Sequence, residues 1–402
     1  MASGRIGKDF SPMFDLAKLR DALVGSGADY WLFCNFHHRD PLSDRILELS
    51  PSTTNSRWWF YFVPATGEPL RLVHGVEAGA LDSLPGSLLR YDSRAALEAA
   101  LARFKGKRVG VQWSETVSAI STLDHGMARL LESAGIVLVP ADTLVQRLSG
   151  RIDAAGIASH EKAAANLYEI VRRVWARIDD RFRRRERLTE LEAQGWILGL
   201  FEEMGMETDH PPIVGAGVHT NDPHFAPDRA VDRAFVEGDI VQLDLWAKLK
   251  APAAVYADIS WLGVFGSSVP EKALAPFDAL IAARDGAVSF ISAASEGGRR
   301  LSGAEVDAHV RNGLIAAGYA GALRHRTGHG IDLEVHGSGA NLDSVEFPDH
   351  RELIDGACFS VEPGLYFEDF GLRTEIDVYM KDGRPLVSGG KPQAAFLLCG
   401  RP

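Results

Sequence analysis

Three histidines fall close together in the stretch R-H-R-T-G-H-G-I-D-L-E-V-H, from Arg324 to His336: His325, His329 and His336. A helix would place His325 and His329 on one face. Gly328 and Gly330 flank His329 and favour an extended or tightly turned backbone instead. The zinc-protease motif H-E-x-x-H is absent, because Arg326 stands where its glutamate would be. Further metal ligands must therefore come from elsewhere in the chain. Asp244 and Glu362 lie inside the apolar runs I-V-Q-L-D-L-W and C-F-S-V-E-P-G-L-Y, where an unpaired charge is costly. Each is followed by a second acid in strand-like sequence, Asp258 and Glu375. Four carboxylates cannot share a small site without counter-charge. Two divalent cations would neutralise them, with the neutral imidazole of His329 as a fifth ligand. An oxygen-rich set with one nitrogen suits manganese first, with cobalt and zinc as alternatives. Two such ions can activate a bridging water for hydrolysis.

The elements that must position these residues read as a repeat. Thr189 with Glu192, and Ser302 with Glu305, form two capping-box patterns that open helices ending near Gly205 and Gly318. After the first helix comes a polar loop with His219 and His224, then Gly238 to Asp244. After the second comes the triple-histidine stretch, then Gly356 to Glu362. In both copies a turn glycine precedes the acid across an apolar strand. Two similar halves of helix plus antiparallel strands, packed about a pseudo-twofold, would bring all four acids to one centre.

Upstream, strands and helices alternate from residue 15 to about 150 and indicate an α/β domain. A long helical pattern from Ile152 to Phe182 marks the junction, giving domains 1–151 and 152–402. His37, His38 and Asp40 form a polar cluster read as a surface loop. The arginine run from Arg172 to Arg187, with acids interleaved, reads as a solvated helix face. A net charge of −11 disfavours a nucleic-acid partner. Neither a membrane span nor a secretory signal is expected, and three widely spaced cysteines fit a cytoplasmic setting.

The five ligands in order, with S-V-E-P-G-L-Y and L-R-T-E around the last two, resemble the creatinase, prolidase and aminopeptidase P group of metallopeptidases. The resemblance covers the whole chain. It implies a creatinase-like N-terminal α/β domain followed by an α+β pita-bread catalytic domain. It places the metal ligands on Asp244, Asp258, His329, Glu362 and Glu375, and substrate histidines on His224, His325 and His336. It makes Glu362 a proton shuttle beside a metal-bridging hydroxide, and His336 a donor to the oxyanion. Arg373, of the R-x-E signature, would orient a ligand carboxylate. The implied substrate is a small Xaa-Pro peptide and the implied assembly a homodimer. A non-peptide amide hydrolase on the same metals, and a non-catalytic binding protein, are the other classes. Four features depart from the pattern: a longer Asp244–Asp258 interval, Trp246, Trp261 and Gly337. The two indoles are expected to line the mouth of the site.

Overall fold

The protein is described here from a computed structural model that covers residues 14–50 and 52–400. It divides into a unit ending at Ser149 and a unit beginning at Gly150. In the first unit, six strands form one mixed sheet in the order β4-β3-β2-β1-β5-β6. They are β1 (Tyr30–Asn35), β2 (Trp59–Pro64), β3 (Leu70–His74), β4 (Ser87–Tyr91), β5 (Arg108–Val111) and β6 (Val137–Pro140). Helices α1 (Leu16–Leu23), α2 (Pro41–Ile46), α3 (Arg94–Leu101), α4 (His125–Ser133) and α5 (Asp142–Leu148) accompany them. Trp31 and Phe33 belong to one buried cluster, Leu32 and Cys34 to another. Both faces of β1 are therefore covered, which is why Trp31 to Cys34 is an unbroken apolar run rather than alternating. The polar cluster after β1 is a self-satisfied loop. Asp40 caps α2 by accepting from Ser43 N at 3.0 Å, and His38 bonds Asp44 at 2.6 Å and the Thr53 carbonyl at 2.8 Å.

The second unit repeats a helix–helix–strand pattern. The first half carries α6 (Ala154–Arg184), α7 (Glu190–Glu203), β7 (Met206–Glu207), β8 (Ile213–Ala216), β9 (Ile240–Leu249) and β10 (Ala257–Val264). The second carries α8 (Glu271–Glu296), α9 (Gly303–Ala316), β11 (Cys358–Val361), β12 (Gly364–Tyr366), β13 (Gly371–Arg373), β14 (Ile376–Lys381), β15 (Arg384–Val387) and β16 (Leu397–Leu398). Each half has its own buried cluster. One gathers Leu167, Val174, Ile197, Leu243 and Ile259, and the other Phe277, Leu280, Val306, Phe359 and Val378. This is the α+β architecture with an internal pseudo-twofold that the sequence repeat indicates. The two turn glycines, Gly238 and Gly356, have φ of +95° and +85°, which a residue with a Cβ adopts only at a cost.

The repeat is larger than the capping boxes suggest, because α8 matches α6. Pro276 and Gly286 interrupt the α8 sequence, and both are helix breakers that mask its period. One cap also differs from expectation. Ser302 and Glu305 form the full reciprocal box. At α7, Thr189 accepts from Glu192 N at 3.2 Å, but the Glu192 carboxylate is turned to Arg181. The arginine run is a solvated face, pairing Arg172 with Glu169, Arg183 with Asp179 and Arg184 with Asp180. Among the described residues, no helix is long and apolar enough to cross a membrane.

Candidate metal centre and active site

Strands β9 and β10 pair antiparallel, with Asp244 opposite Ser260 and Trp246 opposite Asp258. Side chains two apart share a face, so Asp244, Trp246, Asp258 and Ser260 all project to one side. Strands β11 and β14 pair with Val361 opposite Ile376. Glu362 and Glu375 flank that last pair at the point where the two strands break. Glu375 N then donates to the Ser260 carbonyl at 3.2 Å, which joins the halves at the centre.

His329 is delivered by an extended segment. Isolated bridges tie Gly328 to Leu342 and Gly330 to Phe359. A Cβ on Gly328 would stand 2.0 Å from the Ser360 carbonyl oxygen, so only glycine lets the segment lie this close to β11. The ring of His329 has Nε2 at 3.6 Å from Asp258 Oδ2 and 3.5 Å from Glu362 Oε1. Its backbone N donates to Ser360 Oγ at 3.0 Å. Ser260 Oγ lies 2.9 Å from Asp244 Oδ1 and 3.0 Å from Glu375 Oε2. The five residues thus meet in one buried cluster, linked through His329 and Ser260.

The electrostatics of the cluster are unfavourable as they stand. Burial, then the charges of Asp244 and Glu362, push the Asp258 pKa well above the carboxylate range. Burial, then Asp258, Glu362 and Asp244, do the same to Glu375. Asp258 Oδ1 and Glu375 Oε1 are buried without a hydrogen-bond partner. Buried polar atoms are rarely left so. One ligand atom each from Asp258, His329 and Glu375 lies within 4.8 Å of the others. Burial lowers the His329 pKa, which keeps its imidazole neutral and able to coordinate. Orphaned carboxylate oxygens around a neutral imidazole fit a divalent cation.

Behind the cluster runs a chain of polar contacts. The Arg373 guanidinium pairs with Asp244 Oδ2 and donates to Tyr366 Oη and the Pro223 carbonyl, both at 3.0 Å. His325 Nδ1 lies 2.7 Å from the Arg326 carbonyl, and Nε2 lies 2.8 Å from Tyr366 Oη. A carbonyl only accepts, so Nδ1 carries the proton and Nε2 accepts from the tyrosine hydroxyl. Both ring nitrogens of His325 are therefore engaged. Burial, followed by the Arg373 charge, pushes its pKa down to about 4.

His336 lies edge-on against His329, with ring centroids 4.3 Å apart, and is exposed. Desolvation, then the neighbouring His329 and Arg326, push its pKa down to about 3. His224 is exposed on the loop before β9, and its charge is felt at both His325 and His336. The nearby His219 is structural: its Nδ1 sits 2.9 Å from the buried carboxylate of Glu190, and its ring stacks on Phe225.

Sequence reasoning missed Ser260, Tyr366, Arg326 and Asp209. Tyr366 stands in the quoted run S-V-E-P-G-L-Y and was within reach. Ser260 becomes visible only once the β9–β10 register is known. The expectation that both indoles line the mouth holds for one of them. Trp246 faces the ligands, and its Nε1 donates to Asp209 Oδ1 at 2.8 Å. Trp261 is opposite Leu243, on the other face of the sheet, and packs edge-on against Tyr168 of α6 at 5.7 Å. At the fourth departure, a Cβ on Gly337 would stand 2.7 Å from Asp332 Cγ. The Asp332 carboxylate fills that space and accepts from Ser338 N at 2.7 Å.

Residues 158–382, more than half of the chain, match metallopeptidase family M24. The chain belongs to that family. An Xaa-Pro dipeptidase of Lactobacillus delbrueckii subsp. lactis is 31% identical to this M24 metallopeptidase over 180 residues, covering 44% of each chain. The chain spans about half the length of the curated relatives it matches. Among solved structures, dipeptidase PepE from Mycobacterium ulcerans superposes with a TM-score of 0.70 at 24% identity, covering 95% of this chain and 96% of that one. A recombinant prolidase from Thermococcus sibiricus gives 0.62 at 21% identity, covering 95% and 98%. With the family match, these place the fold in the creatinase, prolidase and aminopeptidase P group.

Proposed function

We propose that this metallopeptidase is a dinuclear enzyme that cleaves Xaa-Pro peptide bonds, with Asp244, Asp258, His329, Glu362 and Glu375 as ligands and manganese as the favoured ion. The observation that carries the metal reading is the buried Asp258–His329–Glu375 group with its orphaned carboxylate oxygens. The Xaa-Pro preference is supported by the likeness to the Lactobacillus dipeptidase. When bound, the ions supply charge neutralisation and Lewis-acid activation of water and of the scissile carbonyl.

The chain's own residues do the rest. Glu362 is the least buried of the four acids, with 15% of its side chain exposed, and sits beside the opening. This suits it to take a proton from the attacking water and pass it to the leaving amine. His336 is neutral at working pH and donates its N–H to the oxygen that gains charge in the transition state. His224, on the exposed loop, contacts the leaving side of the substrate, where the half-buried Arg326 adds positive charge for a terminal carboxylate. Arg373 holds Asp244 by a charge-assisted pair, and Tyr366 and His325 hold Arg373 in place. His325 is thereby a positioning residue, not a substrate contact.

The test is a substrate panel on purified protein, with and without added manganese, spanning Xaa-Pro dipeptides, longer Xaa-Pro peptides, dipeptides lacking proline and small amide metabolites. Metal-dependent turnover confined to Xaa-Pro bonds is expected. Turnover of amides with none of Xaa-Pro bonds would replace this reading by a non-peptide hydrolase.

A further inference from the structure

Two of the four departures, the longer Asp244–Asp258 interval and Trp246, belong to one hairpin. The lengthened β9–β10 hairpin folds back on the segment before β8: Lys250 N bonds the Gly205 carbonyl at 2.8 Å, and Met206 and Glu207 of β7 pair with Leu249 and Lys248. The same arm is pinned by a side chain as well. Lys248 Nζ donates to the Leu333 carbonyl at 2.9 Å and lies 4.8 Å from the centre of the Tyr256 ring. The hairpin thus carries Trp246 across from Asp258, and the indole holds Asp209.

The residue this arrangement presents is Asp209. Its Oδ1 accepts from Trp246 Nε1 at 2.8 Å, and its Oδ2 lies 3.1 Å from His210 Nδ1. Its side chain is 39% exposed, and that of His210 is 77% exposed. Neither contact explains why a carboxylate stands there. An exposed imidazole gains little from such a pair, and water can satisfy an indole N–H at a cleft wall. Burial would raise the Asp209 pKa, but the hydrogen bonds from Trp246 and His210 outweigh it and hold the group ionised. It is held by Trp246, which stands opposite Asp258 on the sheet face that also carries Asp244. The four proposed ligand acids are committed to metal, and Asp244 to Arg373 as well. Among the acids near this hairpin, Asp209 is the one fixed by the Trp246 indole.

We propose that Asp209, oriented by Trp246, is the subsite that takes a substrate ammonium group next to the scissile bond. The inference rests on the proposed function, because a peptide cleaved after its first residue carries its α-ammonium two bonds from the attacked carbonyl carbon. A lysine side chain in that first residue would bring the same chemistry from a second source.

Calorimetry on manganese-supplied protein tests this without turnover. The probes are L-alaninamide, Nα-acetyl-L-alaninamide and Nα-acetyl-L-lysinamide. The wild type should bind one ammonium-bearing probe at least tenfold tighter than acetyl-alaninamide. Alaninamide as the favoured probe assigns the α-ammonium, and acetyl-lysinamide assigns the side chain. Asp209→Asn should erase the preference while leaving acetyl-alaninamide binding and the melting temperature unchanged. Trp246→Phe, which keeps the ring and removes the N–H, should weaken the preference in part. No preference in the wild type, a preference that survives Asp209→Asn, or equal weakening of all three probes would overturn the subsite. If the preference is found but no Xaa-Pro bond is cleaved, the proposed function falls and the subsite stands.

Discussion

Replacing Asp258 with asparagine should stabilise the metal-free protein at neutral pH, the reverse of what a buried polar substitution usually does. Asp258 is 5% exposed, its Oδ1 has no partner, and its pKa is pushed well above the ordinary 3.8 by burial and by Asp244 and Glu362. The folded chain therefore retains a proton that the unfolded chain releases. In that window stability falls as pH rises, by about 1.4 kcal/mol per pH unit for one such group. The loss begins above the unfolded value and is complete once the raised folded value is passed. Asparagine keeps the shape, carries no charge at any pH, and offers N–H donors to the surrounding carboxylates. The gain of Asp258→Asn over the wild type should thus be near zero around pH 4 and grow upward. For a unit of this size, about 1.4 kcal/mol corresponds to roughly 3–6 °C in Tm. Manganese should reverse the order: at a free concentration of a hundred times Kd it adds about 2.7 kcal/mol to a protein that binds it, and the variant forgoes this. Thermal melts of chelated and manganese-supplied proteins across pH 5 to 7.5, with elemental analysis, make the assay. A chelated variant that melts below the wild type by the same margin at every pH would refute the reasoning. Asp258 would then be an ordinary buried side chain and not a charge held for a cation.

His329→Ala should lose bound metal, whereas His336→Ala should keep it and lose kcat on the order of 10²–10³, the usual cost of one oxyanion donor; elemental analysis and steady-state kinetics separate the two. Tyr366→Phe should lower stability by about 1–3 kcal/mol in denaturant titration, since it strands the buried Nε2 of His325, and should lower kcat through Arg373 with metal content unchanged. Because burial depresses the His325 pKa from 6.5 to about 4, stability is present above pH 6.5 and lost as pH falls toward 4. His325→Gln should flatten that loss by up to about 3 kcal/mol between the two pH values, seen in denaturant titrations at pH 4.5 and 7.

What was legible in the sequence was what folding repeats and what burial forbids. Asp244 and Glu362 stand out because a charge inside an apolar strand needs a partner, and their matching distances from Gly238 and Gly356 reveal the two halves. The capped helices were legible for the same local reason, although the Glu192 carboxylate chose Arg181 over its own helix end. Helix α8 was not, because Pro276 and Gly286 hide a helix that tertiary packing sustains through Phe277, Leu280 and Ile291. The polar chain from Asp244 through Arg373 and Tyr366 to His325 was invisible as a chain. Its members come from separate strands and loops, and no spacing along one sequence encodes a contact between them. Reading His325 as a substrate contact followed from the family resemblance. The carbonyl that accepts from its Nδ1 and the tyrosine hydroxyl that donates to its Nε2 are what assign it to holding the tyrosine.

The two tryptophans show how much turns on register. Both stand one or two positions from a site residue, and from sequence alone both are expected to reshape the site. A strand alternates its side chains with a period of two. Trp246 is two residues from Asp244 and shares its face, while Trp261 is three from Asp258 and one from Ser260 and takes the other. The first substitution therefore spends its indole on the cleft wall, where it orients Asp209. The second fills the layer between the sheet and α6, beside Tyr168. Trp261→Phe should accordingly act on the packing of that layer and leave substrate choice alone, whereas changes at Trp246 act on what the enzyme accepts. A departure from a family pattern thus bears on specificity only when the period of its element turns it toward the site.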